Sequence, residues 1–149
     1  MVWEKVTGMS LLQEPRTRRF VSWLALGVAG AEVIVAAVST AVRMSEPYSP
    51  GWLGFAFEMP VLVLPLVVVG LALRSSRRGI VMTTAVLALL FALYPAGVLL
   101  GHAFWGGDWE GYSAAAKILD LLLYIPPTAV YLAALLVELQ AFARRPLPR

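Results

Sequence analysis

The stretch Lys117–Phe142, KILDLLLYIPPTAVYLAALLVELQAF, decides how this chain folds. It is a long apolar run, and the residues that break it recur at steps of four, three, four and seven positions, which track the repeat of an α-helix. These residues are Asp120, Tyr124, Pro127, Tyr131 and Glu138. A single such stripe on an otherwise apolar helix is typical of a segment that lies in lipid and turns one side toward protein. The sequence therefore predicts a membrane helix whose stripe faces other helices.

The composition of the whole chain supports a membrane protein. Of its 149 residues, 60% are hydrophobic and 14% are charged, and the mean hydropathy is +0.78. A soluble domain has about 25% charged residues, so much of this surface is expected to face lipid. The chain has no cysteine. This excludes disulfides, thiol redox chemistry, and zinc or iron–sulfur sites with cysteine ligands.

Four apolar runs have the length needed to cross a bilayer, about 20 residues for about 30 Å of hydrocarbon. We therefore predict an all-α fold, an integral membrane four-helix transmembrane bundle. The predicted spans are 20–42, 53–73, 80–102 and 117–142. They form one transmembrane domain, 20–142, between a cytoplasmic N-terminal segment, 1–19, and a basic tail, 143–149. The connections are short, which predicts that sequential helices are antiparallel neighbours.

The distribution of positive charge predicts the orientation. Ten of the twelve Lys and Arg residues fall on the side of the predicted topology that holds the N-terminus, and two, Arg43 and Lys117, fall on the other. Basic loops favour the cytoplasm. We therefore expect a multi-pass protein of the cell membrane with both termini cytoplasmic. Because the excess charge is a topology signal, nucleic acid is not expected as a partner.

Four acidic residues lie inside the predicted spans: Glu32, Glu58, Asp120 and Glu138. An ionised side chain at mid-bilayer costs about 2.5–3.5 kcal/mol on insertion scales, so each is expected to face the bundle interior, to be paired, or to be protonated. Glu32 shares a helix face mostly with small residues, which let another helix approach closely. That face carries Ala25, Ala29, Ala36, Ser39 and Arg43. Glu32 is thus expected to face an interface between helices.

Six residues are predicted to converge on a polar cavity in the outer half of the bundle and to bind a ligand or a proton. They are Glu32, Glu58, Tyr94, His102, Asp120 and Tyr124. Prolines kink helices and would widen the cavity; they are Pro60, Pro65, Pro95, Pro126 and Pro127. Because desolvation penalises the charged form of a carboxyl group, such a site would suit proton exchange or cation binding.

Four of the polar residues in the spans also have a structural interpretation. Asp120 would pair with Lys117, one turn away, or with Arg43. Glu138 lies close in sequence to Arg144 and Arg145 and would be structural. His102 ends the third span and would be only interfacial. Glu32 has no basic residue near its depth, and its structural alternative is a hydrogen bond to Ser, Thr or Tyr of a neighbouring helix.

Several kinds of chemistry have no signal in the sequence. The chain has one histidine, so bis-histidine haem ligation within the chain is excluded; a haem shared with a second subunit through His102 is left open. There is no Walker-type loop and no GxGxxG motif. No cofactor is indicated, and nothing points to enzyme activity.

Two local patterns resemble known membrane families. The layout from Glu58 to His102 resembles DoxX-like four-helix membrane proteins, with an acid in the second span, a Gly-Leu-x-x-Arg turn at Gly70–Arg74 and a histidine that closes the third span. The start of the first span, LALGVAGAEV at 24–33, resembles the acid-bearing first helix of small multidrug exporters. The later spans lack the aromatic-rich pattern of that family. Neither resemblance is adopted as an assignment.

The sequence leaves two classes of function. In the first, the protein binds or transports a proton, a cation or a small ligand through the acidic cavity. In the second, it is a non-catalytic accessory subunit of a larger membrane complex, for example a respiratory or transport complex. A membrane oxidoreductase or quinone-site subunit is a weaker third hypothesis. With so little mass outside the bilayer, we expect a homo-oligomer or an association with other membrane subunits.

Overall fold

The fold is a bundle of four α-helices. The computed structural model describes residues 15–45, 51–75, 77–105 and 112–143. Within these ranges there is no strand, and the helices are α1 (Pro15–Arg43), α2 (Gly51–Ala72), α3 (Arg78–Trp105) and α4 (Ala114–Ala143). The predicted all-α bundle is confirmed. Helices α1, α3 and α4 extend beyond the predicted spans at both ends, while most of the predicted terminal segments lies outside the described residues.

Contacts between the helices show that neighbours run antiparallel. Ser22, near the start of α1, bonds Gly70, near the end of α2. Arg18, also near the start of α1, pairs with Glu138, near the end of α4. Helix α1 packs mainly against α2 and α4, and α4 packs mainly against α1 and α3, whereas α2 and α3 contact each other less. The expected antiparallel order is therefore present, with a weaker contact between the second and third helices.

The outer surface of the bundle is apolar. Trp23, Phe57, Leu93 and Leu136 are more than half exposed, one on each helix. Within the described residues, three segments are long and apolar enough to cross a membrane: Arg16–Arg43, Ile80–Phe104 and Ala114–Ala143. The apolar part of α2 found by the same criterion is shorter, Met59–Ala72. Because large apolar side chains face outward on all sides, lipid is the solvent that suits this surface.

The apolar interior is divided into two clusters along the bundle axis. One lies toward the end of the bundle that carries Arg18 and involves all four helices, with Leu66, Ala88 and Val130 fully or almost fully buried. The other lies toward the end that carries Arg43 and contains Ala36, Leu62, Leu123 and Tyr124. On α1, Glu32 falls between Ala29 of the first cluster and Ala36 of the second. An acidic residue thus lies between the two apolar clusters.

Helices α1 and α2 approach each other closely at Gly70. A Cβ atom on Gly70 would lie 3.1 Å from Leu26 Cγ and 3.3 Å from Ala25 Cβ. Both distances are shorter than ordinary van der Waals contact. The same close approach lets the buried Ser22 hydroxyl donate a hydrogen bond to the Gly70 carbonyl over 2.6 Å. Glycine at this position therefore fixes the distance between α1 and α2.

Candidate functional site

The polar residues of the bundle interior concentrate where α1 meets α4. The buried face of α1 carries the predicted residues Ala25, Ala29, Glu32, Ala36 and Ser39. The buried face of α4 carries the whole predicted stripe, Asp120, Tyr124, Pro127, Tyr131 and Glu138. These two faces are in contact. We call their facing polar residues the polar seam: Arg43 and Asp120, Glu32 and Tyr131, Arg18 and Glu138.

One end of the polar seam is an ion pair. The Arg43 guanidinium contacts the Asp120 carboxylate, and the two side chains are 12% and 5% exposed. The Arg43 Cζ atom also lies 6.0 Å from the ring centroid of Tyr112, within cation–π range. The structural interpretation of Asp120 as a partner of Arg43 is thus observed. The attraction between the guanidinium and the largely buried carboxylate offsets much of the free energy that burial of the two charges costs.

The middle of the polar seam holds Glu32 and Tyr131. Glu32 is 2% exposed, and its Oε2 atom has no hydrogen-bond partner within the described part of the chain. The Tyr131 phenol lies within electrostatic range of the Glu32 carboxyl group. The Tyr131 hydroxyl donates a long hydrogen bond, 3.4 Å, to the Leu62 carbonyl of α2. Glu32 is therefore a buried acid beside a tyrosine that is oriented toward a third helix.

The other end of the polar seam is a second ion pair. Arg18 Nη2 lies 2.6 Å from Glu138 Oε1, and the Glu138 side chain is fully buried. The structure thus gives Glu138 a partner on α1, while Arg144 and Arg145, the neighbours considered from the sequence, lie outside the described residues. The pair joins the start of α1 to the end of α4.

The spacing of the polar seam is the same on both helices. Arg43 and Glu32 are eleven residues apart (43 − 32), and so are Tyr131 and Asp120 (131 − 120). At about 1.5 Å per residue, this places the Glu32–Tyr131 level roughly 16 Å from the Arg43–Asp120 pair. Two antiparallel helices with equal spacings bring both pairs into register. Glu32 and Asp120 therefore lie at different depths.

The remaining predicted site residues are less closely grouped. Tyr124 is buried, and its ring meets the edge of the Tyr94 ring at a centroid distance of 6.5 Å. Tyr94 itself is 44% exposed. His102 is partly exposed in the last turns of α3. Glu58 lies in α2, but its side chain is outside the described part of the structure. The structure thus joins Tyr94 with Tyr124, and it places Glu32 beside Tyr131.

Two residues of this site were missed as partners from the sequence. Tyr131 was recognised as part of the α4 stripe but not as the neighbour of Glu32, and Arg18 was not considered for Glu138. The equal eleven-residue spacings on α1 and α4 are a sequence signal that points to the first of these contacts. Among the described residues, no group of three or more His, Cys, Asp or Glu side chains is placed to hold a metal ion.

The chemistry available at the middle of the seam is that of a protonatable carboxyl group in apolar surroundings. An unpaired carboxylate there is costly, whereas a protonated carboxyl, or a carboxylate with a bound cation, is not. Comparisons with known proteins gave no matching family model, no matching curated protein and no matching solved structure. The two resemblances noted in the sequence therefore have no support from a family model.

Proposed function

We propose that this is a small polytopic protein of the cell membrane that binds a proton or a small cation at Glu32 and carries it across the bilayer. In this proposal all four helices span the membrane and both termini are cytoplasmic. The observation that carries the proposal is the buried Glu32 carboxyl group, whose Oε2 atom has no hydrogen-bond partner in the described part of the chain.

The surroundings of Glu32 support exchange of positive charge. The residues one turn away on its face, Ala29 and Ala36, offer no hydrogen bond from their side chains. An ionised carboxylate left in such a place loses its hydration without replacement, so uptake of a proton or a cation relieves the cost. Tyr131 supplies a nearby hydroxyl that can orient whatever binds. The acids at the two ends of the seam each meet an arginine, whereas no salt bridge to Glu32 is present among the described residues.

The direction in which the polar residues face also favours binding of a proton or a cation over association with a partner subunit. Glu32 and the α4 stripe face each other inside a self-packed bundle, rather than facing outward toward a missing partner. In the proposal, the Arg43–Asp120 pair closes the seam on the side opposite the termini, and Tyr94, Tyr124, His102 and Glu58 remain the candidate residues along the outer route. The ligand of the proposal sits deeper than that pair, at the level of Glu32.

A flux assay in liposomes tests the proposal. The purified protein is reconstituted around an entrapped pH-sensitive dye, and a potassium diffusion potential set with valinomycin drives inward movement of protons. We expect faster acidification than in empty liposomes, and a loss of about a hundredfold in Glu32→Gln, because a positioned proton-transfer group contributes at least that much. Uptake of radioactive sodium under the same potential tests the cation arm, because the pH-sensitive dye reports protons alone.

The control variant is Ser39→Ala. Ser39 lies on the same buried face of α1, and its hydroxyl also has no hydrogen-bond partner among the described residues. The variant should retain the flux of the wild type, since it removes a polar group without removing the carboxyl. Equal flux in wild type and Glu32→Gln, or flux no faster than in empty liposomes with either cation, would contradict the proposal.

A second candidate function is that of an accessory subunit of a larger membrane complex. The observation in its favour is on α3, where a Cβ atom added to Gly97 or Gly101 would meet no atom within 4 Å. Glycines four residues apart with open space above them allow close contact with a helix of another protein. Mild purification in nanodiscs distinguishes the two functions. Stoichiometric recovery of larger membrane subunits would favour this one.

A further inference from the structure

A second polar cluster lies where the start of α1 meets the end of α2. Arg74 follows directly after α2, and its Nε atom donates a hydrogen bond to Ser22 Oγ over 3.1 Å. Ser22 is fully buried and is itself fixed by its bond to the Gly70 carbonyl. The base of the Arg74 side chain is therefore held in one place by the helix pair.

The guanidinium of Arg74 is also stacked. Its Cζ atom lies 4.5 Å from the centroid of the Trp23 ring. Trp23 is 65% exposed and faces away from the bundle, and Arg74 is exposed as well. Among the described residues, the terminal amino groups of Arg74 have neither a carboxylate nor a hydrogen-bond acceptor. The two terminal amino groups of Arg74 are therefore available to donate hydrogen bonds at the lipid-facing edge of the cluster.

The charge around this cluster is strongly positive. This end of the bundle, which we call the arginine-rich end, carries five described arginine side chains: Arg16, Arg18, Arg19, Arg74 and Arg77. The described carboxylate at the same end is that of Glu138, and it is buried against Arg18. Among the described side chains at this end, positive charge therefore exceeds negative charge, which favours the approach of an anion.

We propose that Arg74 and Trp23 form a binding site for the phosphate group of an anionic phospholipid. A planar guanidinium with two parallel N–H donors matches phosphate oxygens in a bidentate contact. Tryptophan favours the headgroup level of a bilayer, and clusters of basic residues next to a membrane helix attract anionic lipids. The lipid chains would lie along the apolar outer faces of α1 and α2. This proposal is independent of proton or cation binding at Glu32.

The experiment is native mass spectrometry of the full-length protein released from detergent and titrated with phosphatidylglycerol or with phosphatidylcholine. We expect the wild type to retain phosphatidylglycerol in preference to phosphatidylcholine. Arg74→Gln should reduce the bound phosphatidylglycerol about tenfold, which is the effect expected for loss of a charge-assisted hydrogen-bonded contact. Trp23→Leu, a change on the lipid-facing surface, should reduce it by a smaller factor.

The matched control is Arg77→Gln, which removes the same charge at the same end from an exposed arginine that stacks on no aromatic ring of the described residues. Retention of phosphatidylglycerol by this variant, together with its loss from Arg74→Gln, supports a defined site. Equal losses from the two variants would show only general charge attraction and would overturn the proposal. Displacement of the lipid by millimolar inorganic phosphate alone would overturn the assignment of a lipid as the ligand.

Discussion

Glu32 of α1 and Tyr131 of α4 are both buried and lie within electrostatic range of each other across the helix interface, and each is eleven residues from one member of the Arg43–Asp120 ion pair. The same pair of helices thus holds an ion pair at one depth of the bundle and Glu32 with Tyr131 at another. The ion pair is electrically complete. The Glu32 site is not, because no basic side chain meets its carboxyl group among the described residues, and this difference separates a structural contact from a candidate site.

Replacement of Glu32 by an apolar residue of similar length should stabilise the bundle. Because Glu32 is buried and a carboxyl oxygen lacks a partner, Glu32→Met should raise the free energy of unfolding by about 1–3 kcal/mol, the usual cost of an unsatisfied buried polar group. Unfolding in mixed micelles with increasing dodecyl sulfate measures the change. A clear loss of stability would show that Glu32 makes a compensating interaction.

Loss of either member of the Arg43–Asp120 pair should be strongly destabilising. Asp120→Asn leaves a largely buried guanidinium without its counter-charge, and Arg43→Met leaves the carboxylate alone, so each should cost about 3–5 kcal/mol. The double variant Arg43→Met/Asp120→Leu should cost less than either single change, because no unpaired charge is left. A double-mutant cycle checks this, and strictly additive losses would contradict a direct pair.

Addition of a methyl group at Gly70 should destabilise the contact between α1 and α2. The new Cβ atom would lie 3.1 Å from Leu26 Cγ, so Gly70→Ala should lose about 1 kcal/mol, at the lower end of the cost of overpacking because a leucine side chain can adjust. Gly97→Ala is the matched control. Its Cβ meets no atom within 4 Å, so alanine should leave stability equal or raise it by up to about 1 kcal/mol.

Removal of the Tyr131 hydroxyl should affect function more than stability. The hydrogen bond from this hydroxyl to the Leu62 carbonyl is long, at 3.4 Å, so Tyr131→Phe should cost no more than about 1 kcal/mol in unfolding. The ring stays packed against Phe91, 6.1 Å away between centroids. The proton flux should fall, because the hydroxyl beside Glu32 is lost. Unchanged flux would assign Tyr131 to packing alone.

The proposed orientation can be tested directly because the natural chain has no cysteine. Ser45 lies at the end of α1 beyond Arg43, and Ser75 lies between α2 and α3 at the arginine-rich end. In intact cells, a membrane-impermeant maleimide should label Ser45→Cys and should not label Ser75→Cys until the cells are permeabilised. The reverse pattern would place both termini outside. Labelling of both sites in intact cells would contradict a sealed span between them.

The sequence predicts the buried face of a helix correctly where the spacing of polar residues along that one helix is sufficient. On α1, Glu32 was placed with small residues on one face, and that face is buried; on α4, the stripe from Asp120 to Glu138 was predicted, and it is buried too. In an apolar helix each polar residue marks the side that avoids lipid. The period of such residues therefore identifies the inward face without any knowledge of the neighbours.

The same reasoning could not decide which residues meet across an interface. The partner of Glu138 is Arg18, 120 positions away in the chain, because the end of α4 packs beside the start of α1. Tyr94 is another example. Pro95 is buried, and since adjacent helix positions differ by about 100°, the preceding tyrosine turns partly outward. Both outcomes depend on how the helices are rotated and aligned, which the pattern along one helix does not contain.

The equal eleven-residue spacings on α1 and α4 restrict how these helices can move. A slide of one helical turn, about 5.4 Å, would separate the Arg43–Asp120 pair and move Glu32 and Tyr131 out of register in the same step, and the Arg18–Glu138 pair opposes it at the far end. A rocking motion that parts the helices near one ion pair leaves the other as a pivot. If the bundle opens, we therefore expect α1 and α4 to rotate apart about one of the ion pairs and not to slide along each other.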